Sequence, residues 1–124
     1  HNLEIDHIMP RKGRPIREGD EVFRFGNLTL LDKPLNASSQ DDAFEEKKAA
    51  FERSGCRLTR QLVQDQGFGK NTVFRTAAGS APTFRQWGSD EINERQRHYA
   101  DLVIEAWCLD DAEGLMMNPH RRAA

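Results

Sequence analysis

Two short β-prone segments stand at the head of this chain, separated by a stretch rich in strand and helix breakers, and helix-forming sequence follows them. Leu3-Glu4-Ile5-Asp6-His7-Ile8-Met9 places apolar residues at Leu3, Ile5 and then Ile8, the pattern of a short strand that ends near Asp6-His7 and is stopped by Pro10. Residues 11 to 21 carry Gly13, Pro15 and Gly19 and read as a loop. Val22-Phe23-Arg24-Phe25 leads into Gly26, and Asn27 to Leu31 forms the second strand. Asp32-Lys33-Pro34 is a turn signal, because Pro34 fixes its own φ and pushes Lys33 away from helix.

Beyond the turn the pattern is helical. Ser38 or Ser39 is the expected N-cap of a helix through about Arg53, with Asp41-Asp42 in its acidic first turn and Lys47, Lys48 and Arg53 nearer its C-terminal end. Phe44, Lys47 or Lys48, and Phe51 share one face, and Gly55 is the expected stop. A shorter helix is expected over Leu58 to Gln64, and Gly67 to Gly79 reads as loop or weak hairpin. Ser89-Asp90-Glu91 opens the longest helix, to about Leu109, whose stripe of Ile92, Tyr99, Leu102, Val103, Ala106 and Trp107 is expected in the core. The fold class is therefore α+β and mainly helical: a two-stranded antiparallel hairpin plus a helix, packed on additional C-terminal helices.

At 124 residues the chain has the length of one domain. The boundaries expected are 1–109 for the domain, with the strand-strand-helix core at about 3–54 and helical support over 55–109, and 110–124 as a flexible tail. Charged residues make up 31% and mean hydropathy is −0.77, yet the apolar residues cluster, which argues against disorder. No apolar run approaches the ~20 residues needed to span a bilayer and no signal peptide is visible, so no membrane partner and a cytoplasmic location are expected. A start at His1-Asn2-Leu3 without Met, six residues from the motif below, is expected of a piece of a longer protein. Cys56 and Cys108 belong to no CxxC pair, which leaves a zinc knuckle or disulfide framework without support.

The net charge of −2 does not advertise a nucleic-acid partner, but its distribution permits one. Arg11, Lys12, Arg14 and Arg17 follow Asp6-His7 with no acid among them, while the acids collect in Asp41 to Glu52 and Asp90 to Glu105. A basic rim or a solvated loop would both suit that arrangement.

The chemistry lies in Asp6-His7, in Gly26-Asn27-Leu28-Thr29-Leu30-Leu31, and in Asn36, nine positions after Asn27. Singly, each residue has a plain structural use: Asp6 could orient His7 or cap a turn, Asn27 could stabilise a β-turn, and Asn36 could be a turn or N-cap residue. Lys47 could serve the helix dipole or reach a phosphate. Taken together, Asp6-His7-Ile8-Met9-Pro10, the Gly26 to Leu31 run, Asn36, Phe44 and Lys47 resemble the HNH nuclease family, whose fold is the ββα-metal finger. More narrowly they are similar to the C-terminal nuclease domain of GmrSD-type modification-dependent restriction enzymes, over residues 3 to about 109.

The resemblance implies His7 as the general base for water, Asn27 as the brace of the loop holding His7, and Asp6 and Asn36 as ligands of one divalent metal, Mg²⁺ or Mn²⁺. Arg11, Lys12, Arg14, Arg17 and Lys47 are the expected contacts to nucleic acid. Asp32 and Leu35 stand where many relatives carry zinc-binding cysteines, so no structural zinc is expected and helical packing must hold the finger. Such chemistry suits phosphodiester cleavage, which needs a nucleophilic water, charge stabilisation on phosphoryl oxygens and help for the leaving oxygen. The expected function is a metal-dependent DNA endonuclease or nickase of a phage-defence restriction system, acting on double-stranded DNA and joined to an upstream nucleotide-binding domain. The alternatives are a nucleic-acid-binding or docking module with little activity alone, or an RNA nuclease.

Overall fold

β1 (Leu3–His7) and β2 (Leu28–Asp32) pair antiparallel in the computed structural model, which describes residues 2–15, 17, 19–65 and 82–107. The register runs from Leu3 opposite Asp32 to His7 opposite Leu28. Strand alternation then sends Asp6, Thr29 and Leu31 to the buried face and leaves Ile5, 63% exposed, on the other with Leu30. The long connection contains two 3-10 turns, Glu21–Phe23 and Phe25–Asn27. Asp20 Oδ1 accepts from the Val22 N–H to start the first. Asn27 belongs to the second turn, so the strand begins one residue later than its β-prone run.

The helical region departs from the sequence pattern at its start. α1 (Lys33–Ser39) begins where a turn is expected, with Pro34 in its first turn. The fixed φ of proline suits a helix start as well as a turn, and its missing N–H has no intrahelical partner to lose there. Ser38 and Ser39 do not cap a following helix. Their hydroxyls both donate back to Leu35 O at 2.8 Å, so they lie at the carbonyl end of α1. α2 (Phe44–Glu52) is a separate helix with Glu45 and Glu46 in its first turn, and α3 (Arg57–Arg60) is shorter than the Leu58 to Gln64 expectation. α4 (Ser89–Trp107) is the long helix. The expected loop at 67–79, the tail at 110–124 and the last turn of the long helix at 108–109 lie outside the described residues.

The core is built from Ile8, Leu31, Phe44, Phe51, Leu62 and Phe84, with Leu35, Ala50, Val63 and Trp87 packed against it. α4 contributes differently from the expected continuous stripe. Ile92 is buried where α4 meets the turn at Gly26, but Val103 is 51% exposed. Arg95 ties the helix to that region: Nη1 donates to Gly26 O (2.9 Å) and Leu28 O (2.6 Å), while Nη2 donates to Thr29 Oγ1 (3.3 Å) and Tyr99 Oη (2.6 Å). A buried guanidinium without a carboxylate is held here by oxygen acceptors and by the Tyr99 ring, whose centroid lies 4.6 Å away. No helix among the described residues is long and apolar enough to cross a membrane. The architecture is α+β, a two-stranded antiparallel sheet with helices.

Candidate active site

β1 carries Asp6 inward at its end, and burial of a carboxylate demands a counter-charge. Lys47 supplies it from the middle of α2. Its Nζ donates to Asp6 Oδ1 (2.9 Å), Asp6 Oδ2 (3.0 Å) and the His7 carbonyl (2.7 Å), which gives the ammonium three acceptors for three N–H groups. Asp6 is 2% exposed and Lys47 fully buried. Lys47 shares the interior face of α2 with Phe44 and Phe51 at helical spacing, so it points into the protein and not toward a nucleic acid, contrary to the expectation from sequence. Burial pulls the Asp6 carboxyl above the ordinary carboxylate range, and the Lys47 ammonium and its hydrogen bonds oppose that pull.

His7 is half-buried at the strand end with its ring edge-to-face against Phe23, centroids 5.8 Å apart. Its burial, followed by the positive charges of Arg11 and Lys47, pushes the imidazole below its usual pKa, so the ring is neutral at pH 7. The segment that follows is anchored by Asn27. The Asn27 carbonyl accepts from the Ile8 N–H at 2.9 Å, and its side-chain Oδ1 accepts from the Met9 N–H at 2.8 Å. Asn27 Nδ2 donates to Met9 O (3.1 Å) and Val22 O (2.9 Å), and Trp87 Nε1 donates to Oδ1 at 2.9 Å. A fully buried amide thus fixes the backbone just beyond His7.

A cavity of about 500 Å³ opens over this strand end, lined by Asp6, His7, Arg11, Lys12, Arg14 and Phe23 together with Gln40 and Asp41. Gly13, at φ 74°, allows the turn in which the Arg14 N–H donates to Arg11 O (3.0 Å) and brings the basic residues to one rim. Arg11 also stands over the Phe23 ring at 5.7 Å, and Lys12 pairs with Asp41 at 3.5 Å. Arg17 is exposed and does not line this cavity.

Asn36 does not line it either. At 7% exposure it donates from Nδ2 to Glu4 Oε2 (3.0 Å), and its buried Oδ1 has no hydrogen-bond partner among the described residues. Glu4 stands two residues before Asp6 and so on the same strand face, a relation that period-2 alternation makes visible in the sequence. Gln40, Asp41 and Trp87 come from the α1–α2 junction and the approach to α4, and no local pattern marks them. His98 is half-buried, and its Nε2 has no hydrogen-bond partner among the described residues.

No group of three or more His, Cys, Asp or Glu among the described residues is placed to hold a metal ion. The fit of Asp6 and Asn36 to a hard divalent cation rests on their donor chemistry. With Nδ2 held by Glu4, the Asn36 amide presents an oxygen that no protein donor uses, and the Asp6 carboxylate keeps lone pairs beyond the two bonds to Lys47. Asp32 accepts from Ser54 Oγ (3.1 Å) and the Gly55 N–H (2.7 Å), clasping β2 to the end of α2. Leu35 packs against the core.

The family model for the C-terminal domain of GmrSD restriction endonucleases matches residues 1–102. The chain belongs to that family. No match was found among curated proteins or among solved structures. In this GmrSD C-terminal domain the matched span contains the hairpin, the Lys47–Asp6 pair, the Asn27 brace and the part of α4 that seats on Gly26.

Proposed function

We propose that this GmrSD C-terminal domain hydrolyses phosphodiester bonds of DNA as the nuclease module of a restriction enzyme, with His7 as general base. The observation that carries the reading is the placement of the His7 imidazole on a cavity whose rim holds Arg11, Lys12 and Arg14. The rim attracts the phosphate backbone without reading sequence. His7 accepts a proton from water as the water oxygen forms its bond to phosphorus. The bond from phosphorus to the leaving sugar oxygen then breaks, and that oxygen takes a proton from solvent. Asn27 and Lys47 act on the base indirectly, by fixing the Met9 backbone and the His7 carbonyl.

A Mg²⁺ or Mn²⁺ ion held by Asp6 and Asn36 would supply charge stabilisation to the phosphoryl oxygens. Selection of the DNA target, and any nucleotide dependence, would belong to another part of the enzyme, consistent with a basic rim that contacts backbone alone. A plasmid-nicking assay tests the assignment. His7→Ala should abolish nicking while leaving the circular dichroism spectrum intact, and EDTA should stop the wild-type reaction. Equal nicking by His7→Ala and wild type would rule out His7 as the base.

A further inference from the structure

Lys47 is the feature of this site that nucleic-acid contact does not explain. A lysine buried with all three N–H groups satisfied, two of them on one carboxylate, holds a position where a bound cation would also seek that carboxylate's charge. We propose that Lys47 is the resident cation of the active site: it neutralises and positions Asp6 without metal, and it keeps divalent-ion binding weak by sharing that carboxylate. This rests on the reading of Asp6 as a metal ligand.

The geometry supports a positioning role on both sides of the site. One ammonium bridges the side chain of Asp6 and the backbone of His7, so the acid and the base are held in a fixed relation by a group on α2. Lys47 is fully buried on the face of α2 that carries Phe44 and Phe51, so its ammonium meets the Asp6 carboxylate in place of water. A divalent ion joining Asp6 would stand about 5 Å from Nζ, from the usual oxygen–metal and oxygen–nitrogen separations. Even with bulk-water screening, a unit charge at that separation weakens binding of a doubly charged ion by roughly tenfold or more.

The test measures Mn²⁺ binding to the metal-free chain by electron paramagnetic resonance, in wild type, Lys47→Met and Asp6→Asn. Lys47→Met, which keeps the aliphatic stem and removes the charge, should bind Mn²⁺ at least about tenfold more tightly than wild type, and Mn²⁺ should raise its melting temperature more. Asp6→Asn should lose the binding. Equal or weaker Mn²⁺ affinity in folded Lys47→Met, with Asp6→Asn still losing it, would overturn the role of Lys47 while leaving Asp6 a ligand. Unchanged affinity in Asp6→Asn would overturn the metal-site reading itself and the proposal with it. Should Lys47→Met fail to fold, the ¹⁵N-labelled ammonium signal of Lys47 in the wild-type protein decides: it should shift as Mg²⁺ is added to saturation, and a signal that stays fixed overturns the proposal.

Discussion

Gly26→Ala isolates the contact on which the hairpin and α4 depend. A Cβ at this position would stand 2.1 Å from the Ile92 carbonyl oxygen, 2.9 Å from Gln96 Cβ and 3.1 Å from Gln96 N. A carbon and a carbonyl oxygen approach no closer than about 3.3 Å without repulsion, so the helix would have to retreat by roughly 1 Å. The neighbour is helix backbone and cannot rotate away as a side-chain tip would. That retreat strains the Arg95 hydrogen bonds to Gly26 O (2.9 Å) and Leu28 O (2.6 Å), along with the 3.3 Å bond from the Gly26 N–H to Gln96 Oε1. Overpacking costs about 1–3 kcal/mol, and leaving buried partners of a charged donor unmade adds about 1–3 kcal/mol, so a loss of about 2–6 kcal/mol is expected. For a domain of this size that corresponds to a melting temperature lower by roughly 10–20 °C. Gly13→Ala is the control, because Gly13 has φ 74° but open space around it; it should cost only about 1–2 kcal/mol. Urea unfolding of the two variants beside wild type measures the difference. A Gly26→Ala protein as stable as Gly13→Ala would refute the claim that close approach, not backbone conformation, requires glycine at 26.

Asn27→Asp keeps the oxygen that accepts from Met9 N and Trp87 Nε1 but removes the donors to Met9 O and Val22 O; it should lower stability by about 2–4 kcal/mol and plasmid nicking by more than about tenfold, and a stable, fully active variant would dismiss the brace. His7, held below pKa 6.5 by burial, Arg11 and Lys47, is neutral above its lowered pKa, so activity should fall only as pH drops through a value under 6.5. Arg11→Gln removes a positive neighbour and should move that acid limb to higher pH, and a pH–rate profile that stays put would show that Arg11 does not act on the base. Asp32 is held below its ordinary 3.8 chiefly by the Gly55 N–H, so its stabilising contribution is complete above 3.8 and is lost as pH falls through the lower folded value. The gap in urea midpoint between wild type and Asp32→Ala should therefore be level from pH 7 to about pH 5 and close below 3.8; a gap that persists in acid would mean packing, not the charged clasp, is responsible.

What the sequence made legible follows from local periodicity. The apolar pattern of Leu3, Ile5 and Ile8 located β1, and the β-prone run from Asn27 to Leu31 located β2, each within a residue or so, although Ile5 lies on the exposed face; the spacing of Phe44, Lys47 and Phe51 identified the buried face of α2. The misplaced start of α1 has an equally local cause: the fixed φ of Pro34 suits a turn and a helix start alike, and only the later register of Ser38 and Ser39 separates the two. The destination of Lys47 could not be read in the same way. A lysine on a helix face with two phenylalanines is a helix-dipole or phosphate candidate until its partner is known, and Asp6 lies 41 positions away. Arg95 poses the same problem more sharply, since its acceptors near Gly26 are mostly backbone carbonyls, which no residue type announces.

Gly26 and Asn27, adjacent in the chain, join α4 to the segment after His7. Gly26 lets α4 close onto the turn, where Arg95 caps the carbonyls of Gly26 and Leu28; Asn27, the next residue, faces the other way and fastens the segment carrying His7. Trp87, just before α4, completes the Asn27 hydrogen-bond set. The long helix α4 is therefore mechanically continuous with the segment that follows His7 through two adjacent residues. The hairpin is held by the Asp32 clasp to the end of α2 and by the Arg95 hydrogen bonds from α4. Truncation before Trp87 would for that reason release the His7 loop as well as expose the core, because Asn27 would lose Trp87 and the turn that orients it would lose Arg95.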